Sequence, residues 1–282
     1  MVAACGGSDA PFEEVPDANV VTNAPDAAPG PVADAGNAGP FQCTATPTRM
    51  IVLGDSIAAC SGVGGKDAAT CGPKLAHTYI ESNYASGITY ENHSVPGAVT
   101  ADVPSGQLPQ VTTGSAGHVV VLIFIGGNDL QPNIFASDAD AVSNFGRDMP
   151  AMLTEWGKIF DFFNDTANFP DGATVLMNTQ YNPFDDCTAS PYNLSATKID
   201  LLQRYNAEVV QLANSRANAV VTDQHKPYLG HGHHYGVLAC PHYDADAVGW
   251  MADLIHPNAA GHANLAVQWE GTADAVFRDC QQ

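Results

Sequence analysis

The sequence predicts an α/β fold, a three-layer α/β/α sandwich built on a five-stranded parallel sheet, and three observations predict it. Five short apolar, β-branched runs recur at residues 49–54, 88–92, 118–125, 173–178 and 219–223. Stretches of helical character lie between them. The third run contains Val119-Val120-Val121-Leu122-Ile123-Phe124-Ile125 with no polar alternation. A strand apolar on both faces belongs inside a parallel sheet covered by helices on each side. Strand–helix alternation of this kind folds into layers joined by right-handed crossovers.

Taken in order, the first three runs supply the first three strands. Residues 141–163 are expected to be helical but broken near Pro150, because proline lacks the backbone N–H and crowds the preceding turn. The fourth strand follows at 173–178. In residues 194–217, Leu202, Tyr205, Val209 and Leu212 recur at helical spacing. The fifth strand is next. Asn258 then suits the N-cap of a last helix running through Leu265 and Trp269. No internal repeat is found. In sheets of this kind chemistry gathers at the carboxyl ends of the strands, so catalytic candidates should follow strands directly.

Composition narrows the function. The chain has 282 residues with a formal net charge of −20, and 45 % of its residues are hydrophobic. Phosphate backbones would be repelled, so nucleic acid is not an expected partner. Anionic membranes and polyanionic substrates are disfavoured for the same reason. No apolar run is long enough to span a bilayer. Charged residues make up only 14 %, as is common in secreted proteins.

Residues 1–42 differ from the rest. They are rich in Ala, Pro, Gly and Asp, contain no Lys or Arg, and carry Asp9, Glu13, Glu14, Asp17, Asp26 and Asp34. Such a segment cannot bury enough apolar surface to offset chain entropy and reads as a disordered, semi-extended tether. Residues 43–282 are then the folded domain. Val2-Ala3-Ala4-Cys5-Gly6 resembles the lipobox of bacterial lipoproteins, in which two small residues precede a lipidated cysteine, with Val2 replacing the usual leucine. The resemblance implies lipid on Cys5 of a longer precursor, and hence a secreted or envelope location with membrane tethering. It also accounts for the odd member of seven cysteines. The other six suit an oxidising compartment. Proximity in the chain suggests Cys60–Cys71, Cys187–Cys240 and a Cys43–Cys280 link between the ends of the domain, among 15 connectivities.

Four motifs carry chemistry. Gly54-Asp55-Ser56 ends the first strand, where Ser56 can present a hydroxyl near a helix N-terminus that favours negative charge. Gly97 follows the second strand in His93-Ser94-Val95-Pro96-Gly97-Ala98, where a glycine lets the backbone aim its N–H at a forming oxyanion. Gly126-Gly127-Asn128-Asp129 ends the third strand, and the Asn128 amide can donate into the same hole. Asp253-Leu254-Ile255-His256-Pro257-Asn258 precedes the last helix. Asp253 can hold one imidazole nitrogen of His256 while the other takes a proton from Ser56. Taken singly, each motif is also compatible with an ordinary turn or cap.

Their order and spacing resemble the SGNH (GDSL-type) hydrolase family over roughly residues 49–265. The resemblance implies a flavodoxin-like sheet. Ser56, Gly97, Asn128 and His256 would be the four marker residues, and Asp253 would complete a triad. The family's first block often continues with leucine, and Ile57 stands there instead. The second block, around Gly97, is the loosest match. No Gly-x-Ser-x-Gly elbow is present, and Asp253 lies only three residues before His256, which sets the chain apart from the α/β-hydrolases.

The expected reaction is acyl transfer. Ser56 attacks an ester carbonyl with His256 as base, and the Ser56 N–H, the Gly97 N–H and Asn128 hold the oxyanion. No cofactor or metal is expected, and the chain is expected to act as a monomer on small-molecule or glycan esters. Deacetylation of glycans is the main alternative chemistry. An inactive surface lipoprotein that binds a glycan or partner is the alternative of another class. His231-Gly232-His233-His234 and His242 form a histidine-rich loop that reads as a polar surface or cleft loop rather than a zinc site. Tyr181, Phe184, Tyr192 and Trp250 either line a cleft or pack beneath long loops.

Overall fold

The computed structural model describes residues 45–190, 192 and 194–278. Five strands, β1 (Pro47–Gly54), β2 (Thr89–Asn92), β3 (His118–Phe124), β4 (Ala173–Asn178) and β5 (Ala219–Thr222), form one sheet. Its order is β2-β1-β3-β4-β5, with every neighbouring pair parallel. All seven residues of β3 are buried, as its unbroken apolar run requires. Side chains alternate across the sheet and divide the core in two. Ile51, Leu53, Val121, Ile123 and Val175 pack toward α3 (Asp138–Asn164) and α4 (Ala196–Asn214). Met50, Val52, Val120, Leu122 and Leu176 pack toward α1 (Gly72–Asn83) and α5 (Ala259–Phe277). The chain is therefore an α/β three-layer sandwich.

The expected break at Pro150 is not present, because α3 runs unbroken through it. Phe145, Met149, Met152, Trp156, Ile159, Phe160 and Phe163 lie buried along one face of α3. This stripe outweighs the local cost of roughly 3 kcal/mol that proline imposes on a helix interior. Two helices had no counterpart in the apolar pattern. One is α1, and the other is α2 (Gly127–Phe135), which starts directly after β3. Asn258 does cap α5, accepting from the N–H groups of Ala260 and Gly261 at 2.9 and 3.1 Å.

The crossover from β1 to β2 and the next one, from β2 past β1 to β3, run in opposite directions, so β1 lies between β2 and β3. That divergence opens a crevice beyond the carboxyl ends of β1 and β3. The end of β1 is shaped for close approach. Gly54 has φ +136°, and a side chain there would meet the Phe124 carbonyl oxygen at 2.0 Å. Gln107, buried and 53 residues away, clamps Gly54. Its Oε1 accepts from the Gly54 N–H and its Nε2 donates to the Gly54 carbonyl, both at 2.8 Å. Beside it, Asp55 is buried and accepts from the Ile57 N–H at 2.9 Å. Burial pushes the Asp55 carboxyl up to about 7, against the opposing Ile57 hydrogen bond and helped by the negative Asp129.

Gln107→Leu leaves the Gly54 N–H buried without an acceptor and should cost about 1–3 kcal/mol in denaturant unfolding. An unchanged midpoint would show that the clamp contributes nothing. Asp55 holds its proton more tightly folded than unfolded, so between pH 3.8 and about 7 the native state carries the extra proton. Stability should therefore fall as pH rises through that window. Asp55→Asn keeps the acceptor for Ile57 but cannot ionise. Its advantage over the parent should grow with pH, reaching at most about 4 kcal/mol above pH 8. A pH-independent difference between the two would contradict this.

Candidate active site

Ser56 leaves β1 at the crevice, buried to 6 % exposure. Its Oγ lies 2.9 Å from His256 Nε2. His256 Nδ1 lies 2.8 and 3.0 Å from the two carboxylate oxygens of Asp253. Two stretches 200 residues apart thus form one hydrogen-bonded chain from carboxylate to imidazole to hydroxyl. Asp253 Oδ1 also accepts from the backbone N–H groups of Ile255 and His256, at 3.0 and 2.9 Å. Partial burial opposes the charge of Asp253, but the His256 and Ile255 hydrogen bonds prevail and hold its carboxyl below its ordinary value. It therefore stays ionised and favours the tautomer with the proton on Nδ1, leaving Nε2 free to accept.

The turn that carries His256 is fixed from several sides. The Ala252 N–H donates to the His256 carbonyl at 2.8 Å. The Asn258 N–H donates to the Trp250 carbonyl at 2.7 Å, and Met251 bridges Pro257. The Tyr181 hydroxyl donates to the Ile255 carbonyl. Asn258 closes the arrangement by capping α5 and donating to the Gly249 carbonyl at 2.9 Å.

Asn128 stands in the first turn of α2 and lines the same pocket as Ser56. One of its amide protons goes to the Ala98 carbonyl at 2.8 Å, which leaves the second for a ligand. That link also brings in Gly97. The Ala98 N–H donates to the Val95 carbonyl at 3.0 Å, closing a turn with Pro96 and Gly97 at its centre. Gly97 has φ +83°, the conformation that this position of a type II turn demands. The turn sets the Ala98 carbonyl that orients Asn128. Gly97 itself is exposed and is not in the pocket wall.

The pocket next to Ser56 is mostly apolar, with Ile57, Leu130, Ile134, Phe184, Leu194, Leu201, Leu202 and Ile255 in its wall. Tyr181 and Phe184 line it, whereas Tyr192 lies against Phe184 and His233, and Trp250 stacks on His231.

The sequence offered no role for Asp185 and Asp186, and both anchor loops. Asp185 accepts from the N–H groups of Gly230, Gly232 and His234 at 2.6–2.9 Å. Asp186 meets His225, Gln203 and Asn182. Three of the loop histidines have different backbone partners. His231 faces the Val248 carbonyl, His233 the Leu254 carbonyl, and His234 those of Phe184 and Ala189. His234 lies near Cys187 and Cys240, but those sulfurs are joined in a disulfide. A second disulfide, Cys60–Cys71, closes the loop after β1. Cys5, Cys43 and Cys280 lie outside the described residues.

Comparison with known proteins agrees with this architecture. A search of curated proteins gives no match. Solved structures of similar fold include an extracellular lipase from Streptomyces rimosus, at 18 % identity and a TM-score of 0.53, covering 80 % of this chain and 99 % of that one. A phospholipase A1 from Streptomyces albidoflavus is 18 % identical with a TM-score of 0.56, over 80 % and 100 % of the two chains. An acetylxylan esterase from Geobacillus stearothermophilus is 17 % identical with a TM-score of 0.52, over 83 % and 96 %. At these identities the likeness is one of fold. The model of the GDSL-like lipase/acylhydrolase family matches residues 52–263, which take in Ser56, Gly97, Asn128, Asp253 and His256. The chain belongs to that family and is an ester hydrolase.

Proposed function

We propose that the protein is a serine carboxylic ester hydrolase working through an acyl-enzyme on Ser56. The observation that carries this reading is the hydrogen-bonded chain Asp253–His256–Ser56, whose serine lines an apolar pocket. His256 Nε2 takes the Ser56 proton as Oγ attacks the ester carbonyl, and Asp253 stabilises the imidazolium that forms. The imidazolium then protonates the leaving alcohol. Water, deprotonated by the same nitrogen, releases the acid and frees Ser56.

The oxyanion is assigned to the free N–H of Ser56, the N–H of Gly97 and the second amide proton of Asn128. The N–H groups of Ser56 and Gly97 make no hydrogen bond among the described residues, so both remain available. The N-terminus of α2 adds a favourable partial charge.

The apolar wall favours an acyl chain of short or medium length over acetyl alone, so a simple carboxylic ester is preferred to an O-acetylated glycan as substrate. The two disulfides suit an oxidising location. With the lipobox-like residues around Cys5 and the Ala/Pro/Gly/Asp-rich composition of residues 1–42, which lie outside the described residues, they support a secreted or envelope enzyme held at a membrane by lipid. No helix among the described residues is long and apolar enough to cross a membrane itself.

A fluorophosphonate probe should label the enzyme on Ser56, and Ser56→Ala should abolish both labelling and turnover of p-nitrophenyl esters. An unlabelled, inactive parent chain would instead support a binding protein. Asn128→Ala should lower kcat by ~10²–10³-fold, the usual loss for one oxyanion donor. Full turnover in that variant would remove Asn128 from the hole.

A further inference from the structure

One acceptor in the wall of the pocket has no donor. Gln180, just after β4, is 4 % exposed and borders the pocket. Its side chain is held in one orientation. Nε2 donates to the Ile125 carbonyl at 2.7 Å. A carbonyl only accepts, so the amide nitrogen must face it and the amide oxygen must point elsewhere. The backbone is fixed as well. Asn206 accepts from the Gln180 N–H at 2.7 Å and donates to its carbonyl at 2.9 Å, and His225 Nδ1 lies 3.1 Å from the same carbonyl. Gln180 Oε1 accepts no hydrogen bond among the described residues, and it is not one of the side-chain atoms that are both unpaired and sealed from solvent. The surface that Gln180 keeps therefore includes this oxygen, and the space it borders is the pocket.

Its surroundings put this acceptor near the reacting end. A side chain at Gly127 would bring its Cβ to 3.1 Å from Gln180 Oε1 and 3.8 Å from Asp55 Oδ2. Gly127 directly precedes Asn128, and Asp55 directly precedes Ser56. The oxygen thus stands beside the residues that carry the proposed oxyanion donor and nucleophile, and the glycine leaves it uncrowded. A carboxamide oxygen accepts and cannot donate. What it asks of a substrate is a donor such as a hydroxyl, and neither an ether nor a methylene will serve.

We propose that Gln180 is a specificity-determining residue, and that its Oε1 accepts from a hydroxyl close to the ester carbonyl, on the second or third carbon of the acyl chain. The preferred substrates are then 2- or 3-hydroxyacyl esters. This rests on Ser56 as the nucleophile, since that places the acyl group in the pocket. A plain alkyl chain strips water from Oε1 and returns no donor, and a site built around a hydrogen bond discriminates against the analogue that lacks it.

The test reads kcat/KM by acid release for ethyl 2-hydroxybutanoate and ethyl 3-hydroxybutanoate, each against its methoxy counterpart. The methoxy esters keep the electron withdrawal and lose the donor. The parent should favour the hydroxyl in at least one pair by about three- to tenfold, the worth of one hydrogen bond. Gln180→Met removes the acceptor at similar length, while the Ile125 carbonyl still accepts from the Tyr205 hydroxyl at 3.1 Å. The preference should vanish in that variant, whereas discrimination by size alone would persist. Both esters of a pair are read on one preparation, so the ratio does not depend on how much of the variant folds. A parent ratio near one in both pairs overturns the proposal, as when an Asp55 carboxyl proton already occupies Oε1. A ratio unchanged by Gln180→Met overturns it too. Ligand-observed NMR with Ser56→Ala measures the same discrimination without turnover. A lower Kd for a hydroxy ester than for its methoxy counterpart supports the assignment even if the parent resists the fluorophosphonate probe and hydrolyses no ester, and equal Kd values overturn it.

Discussion

A parallel sheet must end somewhere, and where it ends its backbone groups lose their partners. In a buried crevice those groups need side chains to replace the missing strand, because an orphaned N–H or carbonyl is costly there. Carboxamides do this throughout the site. Gln107 holds both backbone groups of Gly54, Gln180 donates to the Ile125 carbonyl at 2.7 Å, and Asn178 donates to that of Ile123 at 2.7 Å. Asn206 in turn brackets Gln180 through both of its backbone groups. This network lets the chain leave the sheet abruptly after β1 and β3 while remaining rigid. Ser56 and Asn128 both stand on it.

Charge is distributed to the same end. Asp253 is exposed and ionised, paired with an imidazole. Asp55 and Asp129, by contrast, are both shifted upward, chiefly by burial. Asp129 is nevertheless fixed by the Thr100 N–H and hydroxyl at 2.8 and 3.0 Å. A protein with a net charge of −20 thus limits full negative charge on Asp55, the residue before the proposed nucleophile, where it would oppose a developing oxyanion, and places it on Asp253, where it supports the base.

The loops beside the pocket are held by a disulfide and by hydrogen bonds to carboxylates as well as by the small apolar cluster of Phe184, Leu194 and Ile199. The Cys187–Cys240 disulfide ties the loop after β4 to the histidine-rich loop, and Asp185 binds three of the latter's N–H groups. Phe184, in the pocket wall, directly precedes these anchors in the chain. His231, His233 and His234 of that loop each meet backbone carbonyls.

The sequence by itself determined the five strands and the helices α4 and α5, because buried β-branched runs and helical periodicity are local patterns. It also singled out Ser56, Asn128, Asp253 and His256, since each follows a strand or precedes a cap in a short recognisable motif. Only the tertiary structure decided that α3 survives Pro150, because the compensating stripe depends on the sheet it packs against. Gln107 and Asp185 carried no signal in the chain. A glutamine that clamps a glycine 53 residues away, or an aspartate that gathers three N–H groups of a distant loop, acquires its meaning from neighbours that the linear order keeps apart. The order β2-β1-β3-β4-β5 is the link between the two: it places the ends of β1 and β3 side by side, and so turns distant motifs into one crevice.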